Sequence, residues 1–107
     1  MISSNFCYAY LTCATAGEAF DITSSLLEKK LVACVKQLPV KSDFLWNGTI
    51  DQNNEILLIM ESREDLFDQI EAEVTKIHSY ETFVLTAIPM NRVSQKAQKW
   101  LSETLTQ

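Results

Sequence analysis

From Leu26 to Met60 the chain reads LLEKKLVACVKQLPVKSDFLWNGTIDQNNEILLIM, an order of parts that few small folds can accommodate. A charged helix end at Glu28-Lys29-Lys30 runs into a short apolar strand, passes Pro39, turns at Asn47-Gly48 and returns along the apolar run Ile56 to Met60. Asn-Gly tolerates the positive φ angles of a tight hairpin turn, so Lys41 to Trp46 and Thr49 onward should form a projecting ribbon. Residues 31–38 read as a strand stopped by Pro39, which cannot donate to a central ladder. Residues 55–61 read as a nearly continuous apolar strand, expected to be covered on both faces in some assembly.

The flanking segments supply the remaining elements. Phe6 to Cys13 is rich in aromatic and small apolar residues and reads as a first strand, ending at Thr15-Ala16-Gly17-Glu18. In that capping box the Thr15 hydroxyl takes the Glu18 N–H and Glu18 reaches back, starting a helix with Ala19, Ile22, Leu26 and Leu27 at helical spacing. Lys29 and Lys30 suit its carbonyl end. Ser62 is expected to cap a second helix whose apolar face is Leu66, Phe67, Ile70, Val74 and Ile77. Thr82 to Ile88 reads as a fourth strand closed by Pro89. Val93, Ala97, Leu101 and Leu105 mark a last helix, with Trp100 beside it as a plug.

Strand, helix, strand, strand, helix, strand, helix describes two split βαβ halves. The predicted fold class is therefore α+β, a ferredoxin-like βαββαβ sandwich with a C-terminal helix and an extended hairpin between strands two and three. Both main helices should cover one sheet face, leaving the other for neighbouring subunits, since a large open apolar patch is unusual on a monomer. Two Gly, two Pro and no linker-like tract make residues 1–107 a single domain.

Composition narrows the partners. The net charge is -5 and the nine Lys and Arg are scattered, which argues against nucleic acid. No basic-apolar targeting signal is read at Met1 to Asn5, and no apolar run is long enough to span a bilayer, so a soluble, cytoplasmic protein is expected. Cys7, Cys13 and Cys34 are an odd count without a CxxC pair, which suits a reducing compartment better than a disulfide framework.

Few residues carry chemistry. His78 is the only histidine. It follows a helix end, where a hydrogen-bonded, helix-terminating role outweighs a ligand role for a single chain, and an oligomer weakens that balance. Cys13 ends a strand before a helix N-terminus, a setting that can lower a thiol pKa and make it a soft-metal ligand, although a lone strand cysteine is more often a small hydrophobe. Cys34, in Val32-Ala33-Cys34-Val35, reads as such a hydrophobe. Tyr80 and Glu81 add a hydroxyl and a carboxylate after His78. Phe44 and Trp46 share one ribbon face, suited to packing on the body or on a neighbour.

Taken together, Leu11-Thr12-Cys13, Leu31 to Val35, Ser42 to Trp46 with Gly48, Glu55, His78-x-Tyr80-Glu81-Thr82, Pro89 and Trp100-Leu101 resemble the CutA family of divalent-cation tolerance proteins. The resemblance implies a homotrimer assembled through strand edges and ribbons, with a pocket at each subunit junction. It implies no required cofactor, and copper or another divalent cation as a weakly bound ligand. Cys13 and His78 match proposed copper ligands, and Cys34, Trp46, Tyr80 and Glu81 match positions around the junction. This chain departs from the family pattern at Phe44, Thr49, Glu61, Ser79, Phe83 and Val84. The family usually has an aromatic hydroxyl at the first, Lys at the second, Lys-Thr at 61–62, Pro at 79 and Pro-Glu at 83–84.

The function these features imply is a trimeric, CutA-like binding or regulatory protein with weak affinity for copper or another divalent metal. The alternative is a PII-like trimeric signalling module taking a small metabolite at the subunit junction, although the region between strands two and three offers only Lys41 to a phosphate. An enzyme is not expected: no nucleophile, base and orienting group can be assigned, and both arginines, Arg63 and Arg92, lie outside the loop after the first strand.

Overall fold

The computed structural model describes residues 5–107; Met1 to Ser4, over which no targeting signal is read, lie outside the described residues. Strand β1 (Phe6–Cys13) leads to helix α1 (Ala16–Glu28), strands β2 (Cys34–Trp46) and β3 (Thr49–Arg63), helix α2 (Phe67–Ile77), strand β4 (Leu85–Pro89) and helix α3 (Gln95–Thr104). The strands form one antiparallel sheet in the order β2-β3-β1-β4. This is the ferredoxin-like arrangement.

Register assigns the faces. Cys13, Leu11, Ala9 and Cys7 lie opposite Ile56, Leu58, Met60 and Ser62. Because side chains alternate along a strand, these share one face, and there they meet Ala19, Ile22 and Leu26 of α1 and Ile70 and Val74 of α2 in the buried core. The other face carries Tyr8, Tyr10, Leu57, Ile59, Leu38 and Ile88, none of them buried.

Several local expectations are corrected by the structure. Residues 31–33 precede β2, and β2 continues through Pro39 to Trp46. Pro39 sits opposite Ile56 in an edge strand, where its missing N–H can face away from the only partner. Pro89 likewise lies within β4, the other edge, and β4 starts at Leu85 rather than Thr82. Ser62 is no helix cap: it lies buried inside β3, opposite Cys7, and its hydroxyl donates to the Leu31 carbonyl at 2.6 Å. A short turn of 3-10 helix, Glu64–Leu66, precedes α2. Trp100 is 44% exposed rather than a buried plug; Leu101 of α3 and Leu105 just after it are the buried anchors.

Helix α1 ends in a Schellman arrangement. The Leu31 N–H bonds the Leu26 carbonyl at 3.0 Å and the Lys30 N–H the Leu27 carbonyl at 3.0 Å, with Lys30 at φ 56. The two lysines therefore lie beyond the last turn, and Lys29 pairs with Glu73 of α2 at 2.8 Å. Two Lys partners, Lys29 and Lys76, hold the Glu73 carboxyl down to about 2. At the hairpin, Asn47 (φ 50) and Gly48 (φ 79) both adopt the left-handed region, as a type I′ turn requires. The ribbon stretches the molecule to 50 × 26 × 22 Å and its radius of gyration to 14.6 Å, against about 13 Å for a compact domain of this length.

Left-handed backbone costs a residue with a Cβ about 1–2 kcal/mol, which glycine avoids. Lys30→Gly should therefore raise the unfolding free energy by about 1 kcal/mol in urea titration; a loss of stability would show that the Lys30 side chain contributes more than its backbone costs.

Candidate functional site

The end of the sheet where β1 runs into α1 collects most of the polar side chains that packing alone does not explain. Thr15 caps α1 by accepting the Glu18 N–H at 3.1 Å, which is half of the expected capping box. The other half is redirected. The Glu18 carboxylate accepts the Ala14 N–H at 2.8 Å, the Ser79 N–H, and the Ser79 hydroxyl at 3.1 Å. It thus ties the loop after β1 to the segment leaving α2. Burial opposes its charge, but the hydrogen bonds donated by Ser79 and Ala14 outweigh burial and hold the carboxyl below its ordinary value.

His78 terminates α2, its N–H bonding the Val74 carbonyl at 2.8 Å. Its side chain is 0% exposed. Nε2 lies 2.8 Å from the Thr12 carbonyl, which can only accept, so Nε2 carries the proton. Nδ1 accepts the Tyr80 N–H at 3.0 Å, with a Glu18 carboxylate oxygen 3.3 Å away. The neutral Nε2–H tautomer is the one that satisfies both bonds. The ring packs against Tyr80 and stacks on Phe83, centroids 4.9 and 5.1 Å distant.

Tyr80 extends this chain of contacts to the root of the ribbon. Its hydroxyl donates to Glu55 at 2.7 Å, and Glu55, though a carboxylate, is only 6% exposed. Burial, followed by this bond to Glu55, pushes the Tyr80 phenol up to about 12. Beside Glu55 a cavity of about 340 Å³ opens between Ala14, Ala16, Pro39, Lys41, Asn54 and Ile56.

Cys13 is fully buried on the helix-facing side of β1. Burial, then the Glu18 and Glu55 carboxylates, push its thiol up to about 12, so it stays protonated at neutral pH. The thiolate is the metal-binding form. Cys34 is elsewhere, at the start of β2, with the Lys36 ammonium 3.5 Å from its sulfur and 2.9 Å from Glu61. Trp46 lies at the opposite end of β2, half exposed on the ribbon, and Glu81 is exposed. One chain therefore gathers Cys13, His78 and Tyr80 but separates Cys34 and Trp46 from them.

Sequence reasoning took Glu18 as a cap alone and did not single out Ser79 as a partner. Two of its three donors belong to Ser79, 61 residues away, and no local pattern announces that.

Residues 7–104 match the model of the CutA1 divalent ion tolerance protein family. The chain belongs to that family. It is 39% identical over 98 residues to the divalent-cation tolerance protein CutA of Archaeoglobus fulgidus, covering 92% of this chain and 96% of the relative. The solved structure of that organism's periplasmic divalent cation tolerance protein CutA superposes with a TM-score of 0.90 at 38% identity, covering 92% of this chain and 97% of the other. CutA1 from Oryza sativa superposes with a TM-score of 0.94 at 26% identity over 98% and 97% of the two chains.

The CutA1 name raises a divalent cation, and the residues can be tested for fit. Cys13 offers a neutral buried thiol, and His78 has spent both ring nitrogens on the protein. Among the described residues no three His, Cys, Asp or Glu side chains gather as a metal would need. Three of the positions at which the sequence reading expects other residues have partners here: Ser79 gives Glu18 two donors, Phe83 stacks on His78, and Glu61 pairs with Lys36.

A carboxyl held below its ordinary value stabilises the fold above that value, and the contribution is lost as pH falls through it toward the folded value. For Glu18 that window begins at 4.5 and extends downward. Glu18→Gln should therefore lower stability at pH 7 and flatten the acid limb of urea stability below pH 4.5; an unchanged limb would show that Glu18 does not carry it.

Proposed function

We propose that this protein works as a homotrimeric, non-catalytic binding protein of the divalent-cation tolerance family, with weak affinity for divalent cations such as copper. The observation that carries the trimer is apolar surface with nothing over it. On the ribbon, Leu45 and Ile50 face each other across the strands at 74% and 77% exposed, with Trp46 at 53%, and the open sheet face presents Tyr8, Leu57, Ile59 and Ile88. Apolar area of this kind marks an interaction surface, and copies of the chain are its natural cover. A ribbon reaching out from a 107-residue body suits docking on a neighbour.

Binding rather than catalysis follows from the state of the candidate groups. The buried thiols of Cys7 and Cys13 are pushed up to about 11 and about 12, leaving no activated nucleophile between them. Weak cation affinity follows from the scattered donors, because a tight site would need ligands from a neighbouring subunit or water to complete it. The three cysteines are free, which favours a reducing compartment, and we place the protein in the cytoplasm.

Light scattering coupled to size exclusion should give three times the 12.2 kDa of one chain. Trp46→Ala should weaken that assembly, since removing a buried Trp side chain typically costs about 3–5 kcal/mol. A monomer at micromolar concentration, or a Trp46→Ala protein that dissociates and melts like the parent, contradicts the ribbon's role.

A further inference from the structure

We propose that His78 is a brace rather than a metal ligand in this chain, and that Glu18 is the positioning residue that keeps it one. The inference concerns how the cation-tolerance reading can apply to these residues, and it rests on the family for its expectation of a cation.

The brace spans three elements. Nε2–H holds the Thr12 carbonyl at the end of β1, the backbone N–H closes α2 on Val74, and Nδ1 fixes the Tyr80 N–H so that the Tyr80 hydroxyl meets Glu55 at the root of the ribbon. To bind a cation through Nε2 the ring would have to abandon Thr12 and strip a proton; through Nδ1 it would have to release Tyr80. Either move leaves a backbone group without its hydrogen-bond partner, on a ring that stacks on Phe83 at 5.1 Å.

Glu18 opposes those moves from outside the ring. Its carboxylate grips Ser79 through both backbone N–H and hydroxyl, next to His78 in sequence, while its second oxygen also holds Ala14 beside Cys13. A histidine between two such anchors has little freedom to swing outward. The grip depends on Ser79, because a proline there would supply neither donor.

The test is long-range proton–nitrogen NMR of the full protein labelled with 15N-histidine, whose single histidine gives one pair of ring signals. We expect one protonated and one bare nitrogen, the neutral Nε2–H pattern, unmoved by stoichiometric zinc chloride. A zinc-induced shift of the bare nitrogen to a metal-bound position overturns the brace. Glu18→Gln should shift both ring signals at unchanged pH, whereas ring signals identical to the parent's overturn the positioning role. In parallel, copper and zinc affinities by calorimetry should agree within about twofold between wild type and Cys13→Ser, and a tenfold loss sinks the reading. The labelled wild-type spectrum needs no variant to fold. It also separates this inference from the trimer, because a monomer by light scattering with the same ring pattern would refute assembly and leave the brace intact.

Discussion

Strand β3 is paired along both edges, by β2 on one side and β1 on the other, and the rest of the architecture depends on that double pairing. Its register against β1 places Leu58 and Met60 beneath the two helices and turns Leu57 and Ile59 outward. A slip by one residue would exchange the two sets and bury Glu61 in place of Met60. The buried Ser62 hydroxyl on the Leu31 carbonyl adds a polar bond that fits only one register. Beyond Glu55 the same strand leaves the body paired with β2 alone, so the ribbon inherits its direction from the core and its turn from Asn47-Gly48.

The order of elements was legible because it rests on periodicity and turn chemistry. Phe6–Cys13 is the strand its composition suggests, and Asn47-Gly48 makes the turn it should. Where the structure departs from the local pattern, one cause recurs: tertiary position decides the outcome over residue type. Pro39 and Pro89 stop a central strand, but both lie on edges, and edge position is a property of strand order that no window around a proline contains. Ser62 has the residue type of a cap and the location of a core residue. Lys30 occupies a left-handed position that glycine would fill more cheaply, so the helix end carries no glycine signal.

The candidate site was legible residue by residue and illegible as a network. His78, Tyr80 and Cys13 could be chosen because their side chains have chemistry, and the structure brings them to one end of the sheet. Glu18 could not, since its capping-box position already accounted for it. A carboxylate has several acceptor positions, and a cap uses few of them. What Glu18 does with the remainder is settled by where α2 ends, which follows from Val74 and Ile70 packing in the core. Cys34 and Trp46, by contrast, share a strand with too much length between them to meet within one chain, so any joint role for them requires a second copy.

The departures from the family pattern acquire a physical meaning in this setting. At Ser79, Phe83 and Glu61 the resemblance leads one to expect other chemistry, and each of these residues has a partner: Glu18, the His78 ring and Lys36. Loss of one polar group from a site leaves its neighbours unsatisfied unless others move in, and buried unsatisfied groups are costly. Here the neighbours are satisfied, to the extent that no buried side-chain polar atom among the described residues lacks a partner. A site completed from within has less to offer a ligand from without. The same hydrogen bonds commit His78 and Glu18 to the protein, whereas the ribbon and the open sheet face carry exposed apolar side chains and a cavity lies beside Glu55.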